Sequence, residues 1–404
     1  MAHETVTWLN TDFTEKVIQL AEVDSTIQVI DISAKPATNK GDNYTSDMVR
    51  VVAEFTRKQS AAKVTEKKSL LFKFEPIVEG PRKDLIVKSQ IFETEIFMMT
   101  NTLRKMNELL GCRVSAQAYY VKLERPLCLI MEDLAPLNFR MANRHTGLDK
   151  EHASLAIQGL ARFHAASVAL CEKDPKQKSL YWRGMVNEDN LELVGFFKAG
   201  AIGLASEVET WPNGKKYAEK IKKFADKIFN EEIQALKRKD DEFNVINHGD
   251  SWTNNMLFRY DKNDKPIDHV YVDFQLCLYC SPAVDLHYLF NTSVFEEIDD
   301  TLSSEALLEE YLRTLTATMK RLNCKTQPPT LKEIKKSMSE RLVHALVSSM
   351  NILPFALTDK EDAKTIDDVV KEEFKNPGLK SPTFQKIMLK RLKKFDEAGL
   401  LDSK

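Results

Sequence analysis

The most informative stretch of the sequence is Asn247-His-Gly-Asp-Ser-Trp-Thr-Asn-Asn255, and Asp273-Phe-Gln275 begins eighteen residues after its end. Both motifs adjoin apolar runs with strand character. Asn-Val-Ile-Asn leads into the first motif, Met-Leu-Phe-Arg-Tyr follows it, and Val-Tyr-Val leads directly into Asp273. Polar side chains at strand ends lie in loops, where clefts form, so the two motifs predict a functional cleft.

The order of Asp250, Asn255 and Asp273 is what phosphoryl transfer requires. One carboxylate orients the attacking hydroxyl or accepts its proton, while an amide oxygen and a second carboxylate hold Mg²⁺ against a triphosphate. Oxygen atoms are the ligands that Mg²⁺ prefers. An isolated His-Gly-Asp would more simply be a turn, with Gly249 supplying unusual dihedral angles and Asp250 capping a neighbouring element. Two motifs at strand ends in this order favour a catalytic centre.

Length and composition limit the class of protein. A chain of 404 residues exceeds the roughly 250–300 residues at which single cores stop growing, so we expect two lobes. A hydrophobic share of 43% and a charged share of 29% are typical of a globular protein. The 58 basic and 60 acidic residues give neither a basic footprint for nucleic acid nor a polybasic membrane patch. We therefore expect no nucleic acid, membrane or obligate protein partner.

The N-terminal residues and the cysteines bear on location. The start, MAHETVTWLNTDFTEKV, has no basic and apolar regions of a signal peptide, and no stretch approaches 18 consecutive apolar residues. With six scattered cysteines, this favours a cytoplasmic protein with reduced thiols. Cys277 and Cys280 have CxxC spacing, but without a second pair or a suitable histidine they are more simply buried hydrophobic residues than a zinc or redox site.

Apolar periodicity divides the chain near Leu134. The N-terminal part predicts five strands and one helix, in the order strand 25–32, strand 48–55, strand 69–74, helix 91–110, strand 114–123 and strand 127–134. After Pro136 helices dominate, and Asp149 is a candidate cap for the first long one. We therefore predict an α+β protein with an N-terminal lobe at residues 1–134 and a helical C-terminal lobe at 135–404.

A kinase also needs a cation on the phosphates. Lys73 lies inside Leu-Leu-Phe-Lys-Phe on the third predicted strand, where its ammonium must reach a partner or water. Glu95, on the following helix, is the natural counter-ion. A lysine that extends its amine to solvent from an edge strand is the simpler alternative, and the residues alone leave both interpretations open.

Two further segments are candidates for nucleotide binding. Lys40-Gly-Asp-Asn-Tyr-Thr-Ser46 separates the first two strands, and its backbone N–H groups, around Gly41 and Asn43, together with the Ser46 hydroxyl, would cover phosphates. A plain hairpin turn explains the segment equally well. At the lobe junction, the backbone of Glu132 and Leu134 would pair with adenine, unless the segment is an ordinary connector.

Several residues are expected to support this centre or the acceptor. Asp285 would either cap a helix or brace the catalytic loop. His164 and His248 would be structural, since phosphoryl transfer to an alcohol needs no imidazole. Between these two histidines lie five aromatic residues that are candidates for the acceptor pocket: Tyr181, Trp182, Phe196, Phe197 and Trp211.

Taken together, these stretches resemble the ecdysteroid kinase-like (CHK kinase-like) family of insects, relatives of choline and aminoglycoside kinases within the protein-kinase-like fold. The matching stretches are GDNYTSDMVRV, LLFKFEP, FETEIFM, CLIMEDL, LARFHAAS, HGDSWTNNMLF and VDFQ with SPAVDLHYLF. The resemblance implies a two-lobed protein-kinase-like fold, with a small five-stranded antiparallel sheet in the N-terminal lobe and a mainly helical C-terminal lobe. Gln275 stands where protein kinases have the glycine of their Asp-Phe-Gly motif, as expected in the resembled family.

The resemblance also implies roles for individual residues. Asp250 corresponds to the catalytic base, and Asn255 and Asp273 to the Mg²⁺ ligands. Lys73 and Glu95 correspond to the phosphate-binding ion pair, and the segment from 41 to 46 to the nucleotide cover.

The expected activity is ATP- and Mg²⁺-dependent phosphorylation of a hydroxyl on a bulky, largely apolar alcohol, such as an ecdysteroid or a related steroid or xenobiotic. Two alternatives remain. One is a kinase for a charged amino-alcohol such as choline or an aminoglycoside, whose pocket would need carboxylates or an aromatic cage. The other is a nucleotide-binding pseudokinase, against which the intact Lys73, Asp250, Asn255 and Asp273 speak.

Overall fold

An antiparallel sheet organises the first third of the chain. The computed structural model describes residues 8–38, 45–59, 62–363 and 375–402. The sheet has five strands in the order β1-β2-β3-β5-β4. Its strands are β1 (Gln28–Pro36), β2 (Asp47–Gln59), β3 (Ala62–Phe74), β4 (Ala118–Lys122) and β5 (Cys128–Glu132). All five predicted strands are present, and β2 and β3 pair over their whole length.

Alternation along β2 and β3 explains which face of the sheet is buried. Val51 and Phe55 on β2, and Phe72 on β3, are buried in one cluster, because every second side chain of a strand points to the same face. Helix α1 (Thr11–Glu22) covers that face with Val17 and Ile18. This helix is not among the elements expected from the sequence.

The opposite face of the sheet receives the helical segment between β3 and β4. It consists of α2 (Pro81–Ser89), α3 (Ile91–Phe97), a π-helical turn (Met98–Thr102) and α4 (Leu103–Leu110). The helix predicted at 91–110 is thus present, with a π turn inside it. Phe72 points to the face of the sheet that α1 covers. The side chain of the next residue, Lys73, therefore points to the opposite face, towards α3.

The rest of the chain is mainly helical with two small sheets. A three-stranded sheet has the order β6-β8-β9 and a two-stranded one pairs β10 with β7. Their bounds are β6 (Phe139–Arg140), β7 (Val245–Asn247), β8 (Met256–Tyr260), β9 (Pro266–Tyr271) and β10 (Leu278–Cys280). The helices are α5 (Lys150–Lys173), α6 (Gln177–Leu180), α7 (Leu193–Val208), α8 (Lys215–Phe224), α9 (Ile228–Leu236), α10 (Ala283–Thr292), α11 (Ser304–Arg321), α12 (Leu331–Glu340), α13 (Leu342–Val347), α14 (Leu353–Ala356) and α15 (Pro382–Glu397).

Helix α5 forms the centre of this helical part. Its predicted cap is confirmed, because the Asp149 side chain accepts a hydrogen bond from the backbone N–H of His152. Fifteen of its residues are buried, which is more than one face of a helix offers. Helix α5 therefore packs against neighbours on several sides, including α11 and β9.

The two sequence motifs meet where the small sheets end. The first motif fills the segment between β7 and β8, and the second follows β9 directly. The backbone N–H of Val272 donates to the carbonyl of Asn255 at 3.0 Å. The two motifs therefore lie side by side, and the polar residues follow strand ends as predicted.

Cys277 and Cys280, the two cysteines with CxxC spacing, are both buried free thiols. Burial raises the pKa of the thiols of Cys277 and Cys280, which keeps both thiols protonated and unreactive. Throughout residues 8–38, 45–59, 62–363 and 375–402, no helix combines the length and the apolar character needed to cross a membrane.

Candidate active site

Lys73 joins the large sheet to the loop after β9. Its Nζ lies 2.5 Å from Oε2 of Glu95 on α3 and donates to Oδ1 of Asp273 at 2.6 Å. The Lys73 side chain is 3% exposed and that of Glu95 is 2% exposed. The structure thus brings these three sequence-predicted residues together, and the edge-strand alternative for Lys73 does not hold.

The charges of this cluster depend on one another. Burial alone would lower the pKa of Lys73, but the negative charges of Asp273 and Glu95 outweigh it and raise that pKa to about 12. Burial raises the pKa of Glu95, and the charge of Lys73 offsets part of this rise. The lysine is therefore a fixed cation held between two acidic groups, as a phosphate-binding lysine must be.

Asp250 presents a carboxylate whose two oxygens are both engaged. Oδ2 accepts from Nδ2 of Asn255 at 2.8 Å, and Oδ1 accepts from the hydroxyl of Tyr288 on α10. Burial raises the pKa of Asp250 to about 7, and the charge of Asp273 adds to the rise while the bonds from Tyr288 and Asn255 oppose it. A carboxyl with a pKa near neutrality is suited to receive a proton.

A buried network holds the backbone on either side of Asp250. Asp285, at the start of α10, accepts from the backbone N–H of His248 at 2.6 Å and of Gly249 at 2.8 Å. His164 of α5 contacts Asp285 through Nε2 at 3.0 Å. Burial alone would raise the pKa of Asp285, but these bonds and the nearby histidines lower it. Asp285 therefore has both of the features predicted for it: it lies in the first turn of α10 and it braces the candidate catalytic loop, residues 247–255.

His248 links the two motifs. Its Nδ1 accepts from the backbone N–H of Asp250 at 3.2 Å, so Nε2 carries the hydrogen that it donates to the carbonyl of Val272 at 3.0 Å. Burial lowers the pKa of this ring, which favours the neutral form. The structural roles predicted for His164 and His248 are confirmed.

Two residues in or near the loop of residues 247–255 have backbone conformations that few residue types adopt. Gly249 has φ +80°, and a Cβ at this position would lie 2.0 Å from the carbonyl oxygen of Leu276. No other residue fits such a position without moving the loop. Asp273 has φ +68°, which is uncommon for a residue with a side chain and is frequent at functional sites.

Asn255 and Asp273 supply the oxygen atoms suited to Mg²⁺. Nδ2 of Asn255 is engaged with Asp250, so its amide oxygen is the atom left for a metal. Oδ1 of Asp273 contacts Lys73, and Oδ2 lies 3.4 Å from Nε2 of Gln275. Within the described residues, no three His, Cys, Asp or Glu side chains are grouped to hold a metal ion. These two residues fit a magnesium ion whose other ligands are phosphate and water.

The predicted phosphate cover is described only at its end. Gly41 and Asn43 lie outside the described residues. Ser46 is 4% exposed, and the adjacent Thr45 donates through Oγ1 to Oε1 of Gln275 at 2.9 Å. The end of this segment therefore contacts the residue two positions after Asp273, and the role of Ser46 stays a prediction.

The linker after β5 is held in a way that the sequence did not reveal. Asp133 is buried and accepts from Nε of Arg50 at 2.7 Å and from the Ser69 hydroxyl at 2.5 Å. The backbone N–H of Glu132 donates to Gln117 at 2.8 Å. The Glu132 carbonyl and the backbone N–H of the buried Leu134 remain the candidates for adenine, and this stays a prediction.

A largely apolar cavity of about 240 Å³ opens beside Asp250. Its wall includes two of the five predicted aromatic residues, Phe196 and Phe197. The other three lie elsewhere. Tyr181 is buried and its hydroxyl is hydrogen-bonded to that of Thr102, Trp182 is 70% exposed, and Trp211 packs on Phe384. The segment between the two histidines therefore lines this cavity through Phe196 and Phe197 and not through the other three aromatic residues. That the cavity is the acceptor pocket stays a prediction.

Sequence reasoning missed most of the cavity wall. The main omissions are Leu193, Glu232, Trp252, Tyr288, His344 and Phe355. They come from α7, α9, α10, α13, α14 and the catalytic loop. Since these elements are far apart in the chain, no local pattern in the sequence marks them, although Tyr288 lies three residues after Asp285 on the same helix.

Comparison with models of known protein families identifies the family of the chain. A model of the ecdysteroid kinase-like family matches residues 40–324, which is most of the chain and includes every site residue named above except those on α13 and α14. Among curated proteins, no sequence matches the chain significantly.

Replacing Asp285 tests the brace on the catalytic loop. Asp285→Asn puts an amide NH₂ where one carboxylate oxygen now accepts from an N–H group, so a buried donor loses its partner. We expect the free energy of unfolding to fall by about 1–3 kcal/mol, and hydrogen exchange to quicken across residues 247–255. The exposed Asp268→Asn is the matched control. Unchanged exchange in the Asp285 variant would contradict the proposed brace.

Replacing Asp250 tests the environment of its carboxyl. Because its folded-state pKa of about 7 lies above the ordinary value of 3.8, the native protein binds this proton more tightly than the unfolded chain does. The carboxyl therefore costs increasing stability as the pH rises from 3.8 to about 7. We expect Asp250→Asn to melt at a higher temperature than the wild type at pH 8, with a smaller difference at pH 5. A difference that is equal or larger at pH 5 would refute this account.

Proposed function

The chain belongs to the ecdysteroid kinase-like family, and on that premise we propose that it uses ATP and Mg²⁺ to phosphorylate a hydroxyl group of a bulky, largely apolar alcohol, such as an ecdysteroid or a related steroid or xenobiotic. The observation that carries the proposal is the position of Asp250. It lines a largely apolar cavity and is close enough to Asp273 for their charges to interact.

The nucleotide end of the site would be formed by two lobes, with the five-stranded sheet and its helices as the ATP-binding lobe. Lys73, aligned by Glu95, would neutralise phosphate charge. Asn255 and Asp273 would hold Mg²⁺, which supplies further neutralisation of the triphosphate. The segment that ends at Thr45 and Ser46 would cover the phosphates, and Glu132 with Leu134 would contact adenine.

The acceptor end of the site would centre on Asp250. Its carboxylate accepts a hydrogen bond from the acceptor hydroxyl and aims the oxygen at the γ-phosphorus. The new O–P bond forms as the bond to the ADP oxygen breaks, and the hydroxyl proton passes to Asp250. Tyr288, which already donates to the same carboxylate, would share it with the acceptor and keep it oriented.

The cavity wall favours an apolar alcohol over a charged amino-alcohol. Phe196, Phe197 and Phe355 contribute aromatic surface, together with aliphatic residues such as Leu193. A charged amino-alcohol would need several carboxylates or an aromatic cage, whereas the described wall residues are mainly apolar and include two carboxylates, Asp250 and Glu232. The pseudokinase alternative is disfavoured because Lys73 contacts both Glu95 and Asp273. In addition, Asn255 donates to Asp250, and the charges of Asp250 and Asp273 interact.

Phosphate transfer is tested by incubating the protein with Mg·ATP and a panel of ecdysteroids, other sterols, choline and xenobiotic alcohols. We expect mass spectrometry to find one added phosphate on an apolar alcohol. Asp250→Asn should lower the rate by at least about 10²-fold, because the group that takes the proton is lost, and should still bind nucleotide.

The exposed Asp268→Asn serves as the control for that variant. Turnover of choline without turnover of any apolar alcohol would reject the proposed substrate class. A normal rate in the Asp250 variant would reject the proposed base.

A further inference from the structure

Two polar residues lie side by side in the otherwise apolar cavity wall. Glu232 comes from α9 and His344 from α13, and Nδ1 of the histidine lies 2.5 Å from Oε1 of the glutamate. Glu232 is 2% exposed and His344 is 5% exposed. Both residues line the cavity beside Asp250. We call them the Glu232–His344 pair.

Each member of the pair has a second polar atom without a partner. Among the described residues, no hydrogen-bonding group reaches Oε2 of Glu232 or Nε2 of His344. A buried polar atom without a hydrogen-bond partner destabilises the native state, and the cost is larger if the group is charged. Native proteins seldom keep such atoms without a reason. A helix-to-helix contact alone explains Oε1 and Nδ1 but not the two remaining atoms.

The position of the pair relates it to the reaction centre. Tyr288 lies between the Glu232–His344 pair and Asp250. Its hydroxyl donates to Asp250, and the centroid of its ring is 6.0 Å from that of the His344 ring. A molecule that fills the cavity with one hydroxyl at Asp250 would therefore extend along Tyr288 towards the pair.

The chemistry of the pair indicates what it binds. A carboxylate only accepts hydrogen bonds, so Nδ1 of His344 is the donor to Glu232, and in the neutral ring Nε2 is then an acceptor. Oε2 of Glu232 is thus a free acceptor, and Nε2 of His344 is an acceptor in the neutral ring and a donor in the protonated one. Trp252, in the same wall, has an unpartnered donor at Nε1 among the described residues. A hydroxyl group, which both donates and accepts, matches this set, whereas a purely apolar group leaves all of it unsatisfied.

We propose that the Glu232–His344 pair binds a second hydroxyl group of the acceptor, one that does not receive the phosphate, and so selects apolar alcohols with hydroxyls at two separated positions. This inference rests on the proposed function, since it takes the cavity to be the acceptor site. Selectivity arises because an alcohol without the second hydroxyl leaves buried polar atoms unpaired, a strong basis for discrimination.

The test uses the double variant Glu232→Met, His344→Phe, which replaces both polar side chains by apolar ones. Replacing a buried polar pair in this way commonly preserves the fold. The probes are a steroid with one hydroxyl and the same ring system with hydroxyls at both ends. Calorimetry without nucleotide measures binding, and mass spectrometry with Mg·ATP measures phosphate transfer.

The wild type should bind the diol at least about tenfold more tightly than the mono-alcohol, which corresponds to the loss of one buried hydrogen bond. The double variant should bind the two alike. The control is Phe197→Leu, which shortens an apolar wall residue. It should weaken the binding of both alcohols to the same degree.

The outcomes separate the inference from the proposed function. A preference for the diol that persists in the double variant, or a wild type that binds neither alcohol or both alike, overturns the inference. The expected binding pattern without phosphate transfer to either alcohol supports the pair as a hydroxyl site and overturns only the kinase proposal.

Discussion

The contact of one buried ammonium with two carboxylates holds the site together. Lys73 belongs to the large sheet, Glu95 to the helix that follows it, and Asp273 to the loop after β9. A buried lysine is costly unless it is paired, so the three elements are stable together only when these contacts form. The contact also places two acidic side chains beside one cation, which suits a site that receives a metal cation. Nucleotide binding in the proposed function therefore begins with an interaction that is already part of the fold.

Near this contact, Asp285 and His248 stabilise the native state, whereas the ionised Asp250 destabilises it. Asp285 accepts from the backbone N–H of His248, and the His248 ring bonds the backbone of Asp250 and of Val272, so the two residues together fix the loop of residues 247–255. Asp250 is held in the same loop with its pKa raised by burial, so its ionised form is unfavourable in the native state. The brace allows such a residue to persist, because the loop cannot relax away from the strained arrangement. The neighbours of the proposed base therefore hold it in position.

The sequence predicted those features that have a local signature. The five strands follow from apolar alternation, and Asp250, Asn255 and Asp273 from two short motifs beside strands. For Lys73 the residues alone leave two interpretations open, and the contact with Glu95 is implied by the family resemblance. The cavity could not be predicted in this way. Glu232 and His344 are 112 positions apart, and whether an aromatic residue lines the cavity, as Phe197 does, or packs elsewhere, as Trp211 does, depends on how distant helices dock.

The central claim is that Lys73, held by Glu95 and Asp273, forms a nucleotide site that depends on Mg²⁺. Calorimetry with a non-hydrolysable ATP analogue, with and without Mg²⁺, tests it most directly. The wild type should bind the analogue more tightly with Mg²⁺. Lys73→Met should lose at least about tenfold in affinity, because a charge-assisted bond to phosphate is lost. Lys67→Met, on the same strand with an exposed side chain, should bind as the wild type does. Equal affinity in the Lys73 variant, or no binding by the wild type, would contradict the account.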